Sequence, residues 1–470
     1  MLALAAFLLT VVLVLWRPGG VHEAIPALVG AFAMFLLGLV DRPDVLQVLR
    51  VVWNSAMTII ATFVMAAVLE GAGFFQWMAD RLIDRAGGSG HRLFHLVLAF
   101  SACLTLFLNN DGSILLGTPV VLGLLQRFRL SRRAALAYLL GACLIASASS
   151  PPIGVSNMAN LEAMSLVGIS LLEHLQAVLL PALIGLAACW SLLYWVFRRD
   201  LPMVLPLVSA ATQADRGPIP LRPHPHAITV VPAHGPAPVP LRGHRPPPPP
   251  EQGARGRAPD HGFMWFAVAV VVLVRIGFFV AAAVHVPAYV VAVAGAALLL
   301  AANLNRRVMD TRTALLQAPW AVMGFAFGMD LVVFGLRNAG VIGAVAAWMG
   351  PHLHAAAGAA VLPGALAALT SALLNNHPGL IIGSLTLKQV AGLARHMLDI
   401  GYAGVVLGSD LGALVTPVGT LASLIWFHTL RQSGRHYSWL DYLKVTLAVV
   451  PLSFALALVS LFGWALLTGL

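Results

Sequence analysis

Charge is scarce in this sequence. Asp, Glu, Lys and Arg make up 10% of its 470 residues, against 59% apolar residues and a mean hydropathy of +0.88. That balance excludes an ordinary soluble domain and reads as a polytopic membrane protein. Lysine stands only at 388 and 444, so arginine carries most of the net charge of +10. On a membrane protein such an excess sets orientation and is no footprint for nucleic acid. Cysteine is nearly absent: Cys103, Cys143 and Cys189 lie inside apolar segments and form no CxxC pair, which argues against a disulfide framework or a zinc site. No Walker loop or GxGxxG fingerprint occurs, so nothing supports ATP hydrolysis by this chain.

What the sequence does have is a short polar phrase, used twice between apolar runs. The first copy is Leu108-Asn109-Asn110-Asp111-Gly112-Ser113 and the second is Leu374-Asn375-Asn376-His377-Pro378-Gly379. Each precedes an interrupted apolar segment, broken at Ser156-Asn157 with Asn160 in the first half and at Thr416-Pro417-Val418-Gly419-Thr420 in the second. In hydrocarbon an unpaired polar backbone group costs several kcal/mol, so irregular polar chain survives only inside protein or beside a cavity. Matched breaks in two halves are the sequence mark of a transporter's substrate site.

Apolar segments of spanning length begin near 2–16, 24–40, 50–70, 133–166, 171–197, 263–284, 287–303, 318–336, 400–430 and 440–467. The stretches 93–126 and 354–392 carry the polar phrases at their middles. Each of their arms looks too short to cross alone, so they read as re-entrant hairpins. Met1 to Trp16 lacks a basic leader and is followed by Arg17, which reads as a retained span with its N-terminus outside. Arg81, Arg85 and Arg92 before the first hairpin, and Arg127, Arg129, Arg132 and Arg133 after it, then fall on the cytoplasmic side. The second hairpin enters from outside by the same reckoning.

The expected architecture is all-α: two inverted-topology repeats, 1–197 and 263–470, with about ten spanning helices, two re-entrant hairpins, and broken crossing helices at 133–166 and 400–430. The repeat aligns Glu70-Gly71-Ala72-Gly73-Phe74 with Arg337-Asn338-Ala339-Gly340-Val341, Asn109-Asn110 with Asn375-Asn376, and Ser156-Asn157 with Gly419-Thr420. Between the halves, 198–262 is rich in Pro, His, Arg and Gly and reads as an extended cytoplasmic linker. His224, His226, His234 and His244 repeat no metal-ligand spacing, so the plain linker is the preferred reading.

At each tip a beginning half-helix offers free N–H groups and a positive dipole end. Capping explains some of Asn109, Asn110, Asn375 and Asn376. Four amides at two related tips exceed that need, and they are the leading substrate contacts. Ser156, Asn157, Thr416 and Thr420 join them, divided between substrate contact and repair of backbone freed at the breaks. Ionisable residues inside spans default to functional candidates. Asp111 and Asp410 are the leading proton carriers, with His377 as the group that titrates nearest neutrality. Glu70 and Asp330, with Arg275 and Arg337 as partners, read more readily as structural ion pairs or snorkelling arginines.

The motifs Asn109-Asn110-Asp111-Gly112, Ser156-Asn157, Leu373-Leu374-Asn375-Asn376 and Gly408-Ser409-Asp410-Leu411-Gly412…Thr416-Pro417-Val418-Gly419-Thr420-Leu421-Ala422 resemble the arsenite efflux permeases (ArsB) of the ion transporter superfamily. The resemblance covers nearly all of the chain outside the linker. It implies proton-coupled export of trivalent arsenic and antimony hydroxides across a bacterial inner membrane, with both hairpin tips in a mobile domain. It implies no cofactor; its partners would be arsenite or antimonite, protons, lipid, a second copy of the chain and a cytoplasmic arsenite-stimulated ATPase. Three features depart from the pattern: Ser147 where the family tends to be acidic, His377 after the second Asn pair, and the long proline-rich linker. Arsenous acid is an undissociated triol, and neutral amides and hydroxyls suit it. Capture by the cysteines is less favoured, since lone buried thiols usually behave as inert small hydrophobes.

Other readings stay open. A sodium/proton antiporter would want more carboxylates near the breaks than Asp111 and Asp410; a carboxylate carrier should show Ser-Asn-Thr tips. A membrane scaffold gives no reason for matched breaks, and a membrane enzyme lacks a nucleophile–base pair or metal motif there.

Overall fold

The computed structural model describes residues 1–16, 21–206, 260–306, 308–312, 315 and 318–468. The linker histidines and the 245–250 proline run lie outside them. Among the described residues the chain is all-helical, with eighteen α-helices and no strand.

Nine helices precede the linker: α1 (Leu2–Trp16), α2 (Ala24–Leu36), α3 (Arg42–Gly71), α4 (Phe74–Ala86), α5 (Gly90–Phe107), α6 (Asn110–Gln126), α7 (Arg132–Ala148), α8 (Met158–Val167) and α9 (Leu171–Phe197). Nine follow it: α10 (His261–Ala283), α11 (Ala288–Arg306), α12 (Trp320–Asn338), α13 (Val341–Met349), α14 (Ala356–Leu374), α15 (Asn376–Gln389), α16 (Arg395–Gly412), α17 (Leu421–Gln432) and α18 (Trp439–Thr468).

Several boundary residues of the two sets match in position and role. Gly73 caps α4 at φ 83° and Gly340 caps α13 at φ 81°, the left-handed conformation that glycine adopts without cost. Asn109 and Asn375 cap α6 and α15, and Asn157 and Thr420 cap α8 and α17. These are the pairs the sequence aligned. Packing is reciprocal as well: α2 lies on α12 and α3 on α11; α6 meets α17 and α8 meets α15; α9 meets α18.

Nine helices among the described residues are long and apolar enough to cross a membrane. This is a multi-pass membrane protein. Two expectations change. α1 and α2 are apolar but only 15 and 13 residues long. The first arms of the two hairpins, α5 and α14, have 18 and 19 residues, long enough to cross; at 1.5 Å per residue they reach about 27–29 Å. Arm length therefore does not itself demand a re-entrant path.

Local chemistry explains how polar residues tolerate burial here. Thr58, Thr62, Ser101, Ser149 and Ser453 each return their hydroxyl to the carbonyl four residues back, so no bare donor faces an apolar neighbour. α14 and α16 approach closely because Gly404 and Gly408 face the backbone of Ala360 and Gly364, where any Cβ would collide. That crossing holds the second hairpin against the broken segment carrying Asp410.

Candidate functional site

The site is built where helices stop. α5 ends at Phe107 and α6 starts at Asn110; Asn109, 2% exposed, caps α6 by accepting from the Gly112 N–H at 2.6 Å. Its Nδ2 is buried with no partner. Asn110 Oδ1 accepts from the Asp111 N–H at 2.8 Å. Arg275 of α10 closes the other side of the break, donating Nε to the Phe107 carbonyl at 2.8 Å and a second nitrogen to the Leu108 carbonyl. The expected ion pair or snorkelling is thus replaced by capping of the two carbonyls that the α5 terminus frees.

At the second tip Asn375 sits at φ 107°, a region few residues but glycine visit, and its Oδ1 accepts from the His377 N–H at 3.3 Å. Asn376 is held through its backbone: its N–H donates to the Gly419 carbonyl at 2.7 Å and its carbonyl accepts from Ser409 Oγ at 2.9 Å. Thr105 and Ser371, each four residues before its capping Asn, tie the hairpins to the broken segments in matching ways. Thr105 donates to the Ala146 carbonyl at 2.8 Å, and Ser371 bonds Ser409 at 3.1 Å.

Asp410 joins the halves. It comes from α16, is 3% exposed, and reaches into the break between α7 and α8. Oδ1 accepts from Asn157 Nδ2 at 2.8 Å; Oδ2 accepts from Asn160 Nδ2 at 2.8 Å and Ser150 Oγ at 3.0 Å. A carboxylate offers about four acceptor positions, so one stays open. In the stretch 147–160 that supplies these three donors, Ser147 Oγ, Ser156 Oγ and Asn160 Oδ1 are buried without partners. Asp111 lies within electrostatic reach of both Asp410 and His377, so the first tip faces this centre too.

A second cluster adjoins it. His377 Nε2 lies 2.9 Å from Asp330 Oδ1 and 3.2 Å from Glu162 Oε2. Donor atoms of the three fall within 4.8 Å of one another, close enough to share one small cation. Asp330 is therefore paired with the tip histidine and not with an arginine. Glu162 escaped the sequence reading, although an acidic residue two positions after Asn160 in an apolar run was a usable signal.

The remaining candidates lie elsewhere. Arg337 pairs with Asp44 at 2.6 Å and covers the Phe334 ring, so its partner is neither Glu70 nor Asp330. Glu70, in the last turn of α3, lines a groove with Gly73, Gln76 and Arg127 that includes none of the tip residues. Thr416 donates to the Ala372 carbonyl at 2.5 Å and Thr420 caps α17, so both repair backbone at the break. The three cysteines are free; Cys103 is exposed and Cys143 and Cys189 are buried.

One family profile and three relatives match this chain. The family profile described as "Citrate transporter" (CitMHS) matches residues 11–397. The chain is 36% identical over 461 residues to the putative arsenical pump membrane protein of Bacillus subtilis (strain 168), covering 98% of each chain. It is 29% identical to the arsenical pump membrane proteins of Escherichia coli (strain K12), over 94% of each chain, and of Yersinia enterocolitica, over 97% of this chain and all of the relative.

Proposed function

We propose that this chain, which belongs to the citrate-transporter (CitMHS) family and within it to the arsenical pump membrane proteins, carries trivalent arsenic as arsenous acid out of the cell in exchange for protons. It is a transporter rather than an enzyme. The observation that carries the substrate is a set of buried, unpaired neutral atoms: Asn109 Nδ2 at the first tip, and Ser156 Oγ and Asn160 Oδ1 in the segment whose Asn157 and Asn160 bind Asp410. Leaving such groups dry costs about 1–3 kcal/mol each, and a neutral triol with three donor–acceptor hydroxyls relieves that cost. Antimonous acid has the same hydroxyl pattern.

In this reading Asn109, Asn110, Asn375 and Asn376 present the tips, Ser156 and Asn157 line the break, and Asp410 takes a substrate hydroxyl in its open acceptor position. Thr416 and Thr420 shape the second break. Protonation of Asp410 removes the anionic acceptor and favours release, with Asp111 and His377 as further proton carriers. The two halves lie inverted in a bacterial inner membrane, with the linker cytoplasmic, both termini outside, and the re-entrant hairpins in a mobile domain. A second copy and a cytoplasmic ATPase are the expected partners.

A tricarboxylate fits less well, because the charged groups that converge here include Asp111, Glu162, Asp330 and Asp410, and an anion would meet repulsion. The sodium/proton antiporter reading gains from Glu162 and Asp330, which add two carboxylates beside the second tip. Everted vesicles separate the two. Mass-spectrometric arsenite uptake should follow an imposed proton gradient and ignore a sodium gradient. Absence of gradient-driven arsenite uptake, with sodium-driven proton movement in its place, would overturn the arsenite reading.

A further inference from the structure

Glu162 is the least satisfied charged group beside the tips. Its residue is 0% exposed, and neither carboxylate oxygen has a hydrogen-bond donor. The single Nε2–H of His377 is directed at Asp330 Oδ1 at 2.9 Å, so Glu162 Oε2 at 3.2 Å gains only the proximity of charge. With the imidazole protonated, two carboxylates face one cation and the trio keeps one uncompensated negative charge. A buried carboxylate in that state is too costly to persist and must collect another positive charge. The charged groups acting on His377 are these two and, through space, Asp111 of the first tip.

The trio is also mechanically placed. Glu162 belongs to α8, Asp330 to α12 and His377 to the first turn of α15, the helix that begins at the second tip. α15 packs on both α8 and α12. The site is therefore whole only while the second hairpin rests on α8 and α12. Sodium is poorly served by an imidazole nitrogen, since alkali and hard cations take oxygen ligands. The 2.9 Å between His377 Nε2 and Asp330 Oδ1 is a charge-assisted hydrogen bond, which leaves Glu162, at 3.2 Å and without a donor, as the member of the trio open to a proton of its own.

We infer that Glu162, Asp330 and His377 form a second ion site, distinct from the Asp410 cradle, that takes up one proton on Glu162 when the second hairpin docks and releases it when the hairpin leaves. On loading, one carboxylate oxygen of Glu162 gains a proton and the carboxylate becomes a neutral acid; unloading reverses this. The inference rests on the proton-exchange reading above and names where a further coupled proton travels.

The test is the coupling ratio of the full-length protein in proteoliposomes. At zero membrane potential each coupled proton multiplies the limiting arsenite gradient about tenfold per unit of imposed pH difference. Glu162→Gln should keep arsenite–arsenite exchange and lower that limit about tenfold per pH unit, while Glu162→Asp restores it. An unchanged limit overturns the inference. So does loss of exchange in a variant that still purifies as a folded protein, because Glu162 would then serve the cradle. A second readout needs no substrate: the infrared carboxyl band that appears on acidification should lose one component in Glu162→Gln, and an unaltered spectrum overturns the site. Tight Mn2+ or Zn2+ binding to purified wild type that vanishes in Glu162→Gln would replace the proton by a metal ion. If wild type moves no arsenite, the substrate reading fails, and the infrared titration alone decides the proton site.

Discussion

Replacing Asp410 by Asn changes one oxygen into an NH2 group at constant shape, and the consequence can be worked out bond by bond. The new amide oxygen can keep the place of Oδ2, accepting from Ser150 and Asn160, but its NH2 then confronts Asn157 Nδ2, 2.8 Å from Oδ1 in the native site. Asn157 cannot turn over freely, because its own Oδ1 caps α8 through the Ala159 N–H at 3.1 Å, a cap of about 1 kcal/mol. One charge-assisted bond is lost, about 1.5–3 kcal/mol. Removing a buried anion returns a desolvation cost of comparable size, so the variant should fold. Function reports the remaining difference. A substrate hydroxyl bound to a carboxylate gains about 1.5–3 kcal/mol and to an amide about 0.5–1.5, so arsenite should bind about five- to tenfold more weakly at neutral pH. Wild-type Asp410 is an anion at high pH and a neutral acid at low pH, so its apparent KM should rise as pH falls. Asp410→Asn should be flat and meet the wild-type curve at the acid end. The assay is arsenite uptake into everted vesicles across a pH series. Parallel curves, or a variant with the wild-type profile, would show that Asp410 neither binds the hydroxyl nor answers to protons.

Other substitutions separate the remaining roles. Asn109→Asp keeps an oxygen to cap Gly112 but loses the unpaired Nδ2 donor, so it should insert normally and fail to confer arsenite resistance; full resistance would take the first tip out of substrate contact. Asn375→Gly relieves a backbone conformation costing about 1–3 kcal/mol in a non-glycine residue and loses the long bond to the His377 N–H. Its thermal midpoint in detergent should stay level or rise while transport falls. Arg337→Gln breaks a pair remote from the tips and should leave uptake unchanged, with a stability loss of about 1 kcal/mol. Changing Cys103, Cys143 and Cys189 together to Ser should leave uptake largely intact; a dead but folded triple variant would favour thiolate capture of arsenic.

The sequence disclosed the fold through its interruptions. Asn109 and Asn375 cap helices, the role the sequence offered for some of the tip amides, and Asn157 and Thr420 cap the helices that follow the two breaks, because a cap is chosen by local chemistry within three residues. Partners across the halves were not available locally. Nothing near Asp410 in sequence names Asn157, Asn160 or Ser150, which stand at least 250 positions away. Arg275 was misassigned for a related reason: opposite charge is visible in a sequence, whereas a carbonyl freed at a distant helix end is not. Glu162 carries no local signal of a break, because it lies inside α8, and its partners Asp330 and His377 are distant in sequence.

The departure from symmetry is as informative as the repeat. Ser147 lies ten residues before the helix cap Asn157, and Asp410 lies ten before the helix cap Thr420, the spacing that the proposed repeat gives to counterparts. A carboxylate at both positions would bring two buried charges toward one centre, and like charges in a low-dielectric site disfavour joint ionisation. With Ser147 in the first half, a single anion is left for Asn157, Asn160 and Ser150 to stabilise, and the Ser147 hydroxyl stays unpaired. The second tip shows the opposite bias, since His377, absent from the first, meets two carboxylates from α8 and α12. Acceptor capacity for a neutral guest is thus concentrated on the first-half break, and surplus negative charge on the second-half tip. If the hairpins move as proposed, both places would respond to the movement, and their unequal side chains would suit them to different cargo.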